Sequence, residues 1–281
     1  MRGLEILGVG LIDADINECV LLYTVQTPDP NTLHTANWML VDWYLFALEK
    51  EKEILLNQSK HVVADAWFAK STFVNGLDSL GFLLISRFRD DANLMYITTA
   101  ERTGKKGRPK KFDGKIDFKN LELTRFEKVE MDLEDEFYTA IVHSKALNKA
   151  VRIVIRKTQN GKSHKIYFST DTTLSGKDVV ELYRTRFQIE FCFKWIKQHL
   201  HIKTFYGTTS NAVYCQIWIA ICTYILLAIA KKSLGVKENL YIFSQTIGLT
   251  LFERESINDL FNNNTNLKMQ SDDNQLSLWE S

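Results

Sequence analysis

The apolar positions follow two periods, and the dominant one changes along the chain. Leu4–Ile12 and Cys19–Thr27 are apolar-rich runs flanking Asp13-Ala14-Asp15-Ile16-Asn17. That pattern predicts a β-hairpin, ended by Pro28 and Pro30. From Thr35 to Leu56 the residues Met39, Leu40, Trp43, Leu45, Phe46, Leu48, Ile54 and Leu55 recur at helical spacing. A short buried strand follows, His61-Val62-Val63-Ala64, running into Asp65, then a helix over Ser71–Leu80 and a strand over Phe82–Ser86. Between Asp90 and Ser169 the texture turns to short alternating runs at Leu94–Thr98, Tyr138–Val142, Val151–Arg156 and Lys165–Phe168, with a turn signal at Asn160-Gly161. Thr172–Leu200 and Ala212–Lys232 then read as helices, the first opened by the capping sequence Ser175-Gly176-Lys177-Asp178. The expected architecture is an α/β core interrupted by a β-rich insertion. Residues 1–89 form the first part of the core, 90–170 the insertion, 171–235 the C-terminal helices of the core, and 236–281 a tail.

One stretch admits a second interpretation. Ala212–Ala230 is long and apolar enough to span a membrane, and Lys231-Lys232 follow it. Gln216, Thr223, two tyrosines, two cysteines and a tryptophan within it favour a helix buried on all sides in a soluble core.

Composition narrows the class. With 45% hydrophobic and 25% charged residues the 281-residue chain is globular, which excludes a disordered or collagen-like protein. Four cysteines with no C-x-x-C pair argue against a disulfide scaffold or structural zinc and for a reducing, cytoplasmic setting. The first residues lack the charged and apolar regions of a signal peptide. A net charge of +1 rules out a uniformly basic nucleic-acid binder, but charge is unevenly spread. Arg102–Lys119 carries a net +6, whereas the Asn- and Asp-rich end from Glu253 carries −4 and reads as solvated.

The densest chemistry lies on the predicted helix. At 100° per residue Tyr183, Arg186, Glu190 and Lys197 fall within about 60° of one another, on a stripe about 21 Å long. Apolar Val179, Phe193 and Leu200 continue that sector, so it faces inward or into a cleft. Arg186 and Glu190 at i, i+4 suit an internal ion pair. The same residues suit a groove in which a carboxylate holds a divalent metal while cations and a tyrosine hydroxyl take phosphate oxygens.

The spacing Tyr183, two residues, Arg186, three residues, Glu190, six residues, Lys197 resembles the Y-R-E-K signature of one branch of bacterial DDE-type insertion-sequence transposases. The resemblance covers nearly the whole chain and implies a ribonuclease-H-like core. It implies that Asp65, at the end of its strand, is the second catalytic aspartate and Glu190 the catalytic glutamate. These two would bind Mg²⁺ or Mn²⁺ in a two-metal site. Tyr183, Arg186 and Lys197 would hold the phosphate backbone of double-stranded DNA at insertion-sequence ends. The 125 residues separating Asp65 from Glu190 leave room for the insertion such enzymes carry.

The resemblance also implies a missing piece. The family's first catalytic aspartate lies on a central strand that should precede the hairpin, where only Met1-Arg2-Gly3 stand, and Asp13 and Asp15 sit in a turn, where aspartate is common for conformational reasons. The family's N-terminal DNA-binding region is absent as well. The chain therefore resembles the C-terminal portion of a transposase. Expected consequences are catalytic inactivity alone, since two-metal chemistry needs carboxylates from both sides, and reduced stability, since the sheet lacks its central strand. Two rivals remain: an inhibitor that binds DNA, full-length transposase or itself, and a degraded gene product.

Lys105, Lys106, Arg108, Lys110 and Lys111 form a basic loop whose Gly107-Arg108-Pro109 core resembles an AT-hook. Contact with DNA phosphates is the expectation, because that needs only the charge, and Arg87 and Arg89 are candidates to extend the path. His61, His164, His199 and His201 lack partners at ligand spacing and are expected to be structural. Trp195 and Phe193 are expected to pack in the core.

Overall fold

The computed structural model describes residues 6–14, 18–98, 110–158, 164–200, 202, 204–250 and 252. It divides into two compact units, Met1–Phe191 and Cys192–Ser281.

The first unit opens with the hairpin β1 (Ile6–Asp13) and β2 (Glu18–Gln26), antiparallel, with Asp13 opposite Glu18. A short helix α1 (Pro30–Thr35) comes next, and the expected single helix over Thr35–Leu56 is instead two, α2 (Leu40–Lys50) and α3 (Lys52–Gln58). Pro30 opens α1 rather than merely ending the hairpin, because proline at the first helical position gives up an N–H that has no partner there anyway. Asp29 caps that turn by accepting from the Asn31 and Thr32 N–H groups. Asn37, at φ 54°, turns the chain between α1 and α2.

Next come β3 (His61–Val63), α4 (Ser71–Leu80) and β4 (Leu83–Phe88), with β3 parallel to β4. Gly81 ends α4 in the left-handed region at φ 89°, the conformation glycine adopts without a Cβ penalty. The alternating segment then supplies β5 (Leu94–Ile97), β6 (Phe112–Lys115), β7 (Glu127–Val129), β8 (Glu136–Ser144), β9 (Lys149–Lys157) and β10 (His164–Ser169). These strands do not build a separate sheet. They continue the sheet of β3 and β4 in the order β3-β4-β10-β9-β8-β5-β6, with β7 also on β8.

Alternation gives the sheet two apolar faces. Phe88, Ile153, Ile155, Ile166 and Phe168 pack with Leu48, Phe73, Val74 and Leu77 of the helices α2 and α4. Ile85, Phe137, Val154 and Tyr167 point the other way and are covered by Val179, Val180 and Tyr183 of α5 (Gly176–Thr185). Ser175 and Asp178 form the expected capping box at its start.

Among the described residues, β1 and β3 each have a single strand neighbour. Ala64 donates to Ile85 and Leu83 to Lys60, so by the period of two Val63 turns its backbone groups away from β4. An apolar cleft of about 360 Å³ lies along this free edge, lined by β1 residues Leu7–Ile12 on one side and His61–Asp65 on the other.

The helix α6 (Phe187–His199) crosses from one unit to the other. The second unit adds α7 (Ser210–Ser233) and α8 (Leu240–Thr250), the latter unforeseen, with Phe243 buried. Trp195 lies 5.3 Å from Tyr224, ring to ring, as expected of a packing residue. The expectation for Ala212–Ala230 is not met. The helix is continuous, but only 17% of its most apolar window is buried, and Ile219, Leu226 and Ile229 are exposed.

Candidate functional site

Asp65 stands where β3 ends. Its backbone carbonyl accepts from the buried Ser86 hydroxyl of β4 at 2.8 Å, which fixes the chain's exit from the sheet. Its side chain accepts from the Trp67 N–H at 2.8 Å and caps the short 3₁₀ turn Ala66–Phe68. The second carboxylate oxygen has no hydrogen bond from any described residue. Trp67 is 42% exposed, with the Lys70 ammonium 3.5 Å above its ring.

The predicted helix over Thr172–Leu200 is pinched at Arg186, between α5 and α6. Arg186 keeps helical dihedrals, but its N–H reaches Tyr183 and its carbonyl receives Ile189, both at 3.3 Å and both three residues away. Such a tight turn shifts the azimuth of everything beyond it, so a uniform 100° stripe does not describe the site. Tyr183 is buried against Tyr167 at 5.1 Å, ring to ring. Arg186 lies mostly within the protein, its guanidinium 4.6 Å from the Phe187 ring, and pairs with Glu190. Burial works against the Arg186 charge, but hydrogen bonding and attraction to Glu190 outweigh it and raise its pKa further. Glu190 itself is half exposed.

Asp65 and Arg186 line two common clefts: the apolar one described above and a polar one of about 410 Å³ that also reaches Tyr183. Three of the four residues Asp65, Tyr183, Arg186 and Glu190 therefore share one cleft, and the fourth joins them through Arg186. Lys197 lies in the second unit, exposed, on the last turns of α6. Among the described residues no three His, Cys, Asp or Glu side chains gather closely enough to hold a metal ion.

In the basic loop, Lys105, Lys106 and Arg108 lie outside the described residues, as does Asp15. Lys111 is exposed, while Lys110 stands 3.6 Å from Asp113 and is partly neutralised. Asp13 closes the hairpin strand β1.

Two features have only faint sequence signals. Asp171, 6% exposed, accepts from Thr173 and lies 3.0 Å from His61 and 3.5 Å from Lys60. The Thr173 hydrogen bond, aided by His61 and Lys60 and opposed by burial, holds its carboxyl well below the usual range. The second feature is the set of strand cations around the polar cleft, Arg87, Arg156 and Lys165. Arg87, on β4, was already a candidate to extend the basic path, whereas alternation within β9 and β10 is the only trace of Arg156 and Lys165.

Comparison with known proteins bears on this geometry. A transposase of Geobacillus stearothermophilus, named as probable and assigned to an insertion sequence element, is 35% identical over 79 residues. A presumptive transposase of Sinorhizobium fredii is 40% identical over 79 residues. Each alignment covers 28% of this chain but only 21% and 22% of those relatives, so the match spans about a fifth of their length. The family described as "Transposase DDE domain" matches residues 16–226, about three quarters of the chain, including Asp65, Tyr183, Arg186, Glu190 and Lys197. The chain belongs to the transposase DDE domain family.

Proposed function

We propose that the chain acts in DNA transposition, binding double-stranded DNA at insertion-sequence ends around Asp65, Tyr183 and Arg186. The observation that supports this most is the sharing of the polar cleft by Asp65, Tyr183 and Arg186, with Glu190 tied to Arg186. A guanidinium braced by a carboxylate and a neighbouring tyrosine presents fixed donors to a phosphate oxygen. Lys197 and the loop cations Lys105, Lys106, Arg108, Lys110 and Lys111 extend the backbone contact in this proposal. The sheet of β3, β4 and the flanking helices is the ribonuclease-H-like part, and the Y-R-E-K branch is the matching subgroup. The cytoplasm, at the nucleoid, is the corresponding location.

Members of this family generally use divalent metals. The donor set here does not fit such an ion. One Asp65 oxygen is committed to a backbone N–H, Glu190 to Arg186, and no third carboxylate stands with them among the described residues. Mg²⁺ takes about six oxygen ligands in near-octahedral order, which two engaged carboxylates do not supply. As they stand, Asp65 and Glu190 do not complete a site for Mg²⁺ or Mn²⁺, and the proposal is that the chain binds DNA without cutting it. That shortfall also favours a second reading, a non-enzymatic inhibitor acting on DNA, on full-length transposase or on its own copies.

The test is to incubate the purified chain with supercoiled DNA carrying the element's ends, in Mg²⁺ and in Mn²⁺. Binding without nicking is expected. Metal-dependent nicking abolished by Glu190→Ala would show a complete centre and overturn the proposal of inactivity.

A further inference from the structure

The face of the sheet under α5 changes character along its length. Ile85, Val154 and Tyr167 are apolar and covered by α5. The register places Arg87 opposite Tyr167, and Arg156 opposite Lys165. By the period of two, Arg87, Arg156 and Lys165 emerge on that same face, just beyond the end of the apolar patch. The C-terminal turn of α5 arrives there with Arg184 and Arg186. Five cations from four elements thus surround one cleft of about 410 Å³, against a single lining carboxylate, Asp65.

The five are not equivalent. Arg156 is held by Asp135, and Arg186 by Glu190. Arg87, Lys165 and Arg184 have no ion pair with any described residue, and Lys165 and Arg184 are exposed. Converging three unneutralised cations costs repulsion energy unless an anion joins them. Paired arginines beside them are positioned rather than free, so their donor forks have fixed directions.

We propose that this cleft is a binding site for the DNA phosphate backbone, with Arg87, Lys165 and Arg184 as further phosphate-binding side chains. The site rests on the DNA-binding reading above and deepens it. It adds three strand and helix cations that neither the signature residues nor the basic loop include, and it routes the backbone over the sheet face beside Asp65. Guanidinium groups suit phosphate because they offer paired N–H donors at matching spacing. An acidic peptide is the rival occupant, and the test separates it.

The full chain is titrated onto a fluorescent duplex over a series of salt concentrations, as wild type and as the triple variant Arg87→Ala, Lys165→Ala, Arg184→Ala. A charge-keeping version, Arg87→Lys, Lys165→Arg, Arg184→Lys, serves as rescue, and melting curves check that each is folded. The expected result is at least tenfold weaker binding for the alanine variant. Its log–log salt slope should fall by about 0.9 for each phosphate that is no longer neutralised, with most of the binding restored by the charge-keeping variant. Wild-type binding with a triple variant of unchanged affinity and slope overturns this site alone. No duplex binding by the wild type overturns both this site and the DNA reading. If the alanine variant is unfolded, the charge-keeping variant and the three single substitutions decide: unchanged slopes in the singles reject the site. Tighter binding of a polyglutamate peptide than of the duplex, abolished in the same variant, would also reject it in favour of an acidic protein partner.

Discussion

At the scale of single residues, Arg186 is the pivot of the site. It touches Glu190, lies beside the Tyr183 and Phe187 rings, and lines both clefts with Asp65. The Arg186–Glu190 pair is an i, i+4 contact with one exposed partner, so its removal should reduce stability by only about 0.5 kcal/mol. Arg186→Ala also loses its packing against the Phe187 ring, so it should lower the melting temperature modestly while losing DNA affinity, and a melting curve paired with a binding titration checks both. Asp171 behaves in the opposite way. It is buried, and its hydrogen bonds lie inside the fold, so Asp171→Asn should destabilise by about 1–3 kcal/mol near neutral pH. Its folded pKa lies below the ordinary 3.8, so the stabilisation is fully present above that value and drains away as pH falls through the folded pKa. The gap in melting temperature between Asp171→Asn and wild type should thus narrow in strong acid, and a gap that stays constant with pH would refute this assignment. The Arg186–Glu190 ion pair was legible from the i, i+4 spacing. The pairing of Asp171 was not, because a lone Asp before a Thr looks like any loop residue until the fold brings His61 and Lys60 to it.

At the scale of elements, the helix expected over Thr172–Leu200 is divided at Arg186 into α5 and α6. An i, i+3 turn at Arg186 adds rotation that a constant 100° cannot foresee. The hairpin, the β3-α4-β4 unit and the start of α5 were legible because their apolar periods and caps agree locally. The division of Thr35–Leu56 was not, since the break at Glu51 carries neither proline nor glycine. That the alternating strands join the first sheet was also hidden, because alternation predicts a strand but not its neighbour. Two measurements probe elements directly. Gly81→Ala forces a Cβ into the left-handed region that ends α4 and should cost about 1 kcal/mol, read as a lower melting temperature. Just after β3 the Ala64 N–H is tied to β4 whereas Val63, the last residue of β3, faces the free edge, so hydrogen exchange should be faster at Val63 than at Ala64. Equal protection at both would mean that a strand already occupies the cleft beside β1.

At the scale of the whole molecule, the candidate chemistry divides between the two units, with Asp65, Tyr183, Arg186 and Glu190 in the first and Lys197 in the second. The unit that holds the signature's tyrosine, arginine and glutamate also holds the strand cations, so the first unit should dominate DNA contact. In the proposed function DNA lies against the cleft shared by Asp65, Tyr183 and Arg186. The most direct measurement is photochemical crosslinking of the full chain to duplex DNA of the element's ends, followed by mass-spectrometric mapping of the attached peptides. Crosslinks are expected in peptides spanning Asp65–Lys70 and Tyr183–Glu190, diminished by Arg186→Ala. Crosslinks confined to α7, α8 or other distant surfaces, with Arg186→Ala binding as wild type, would contradict it.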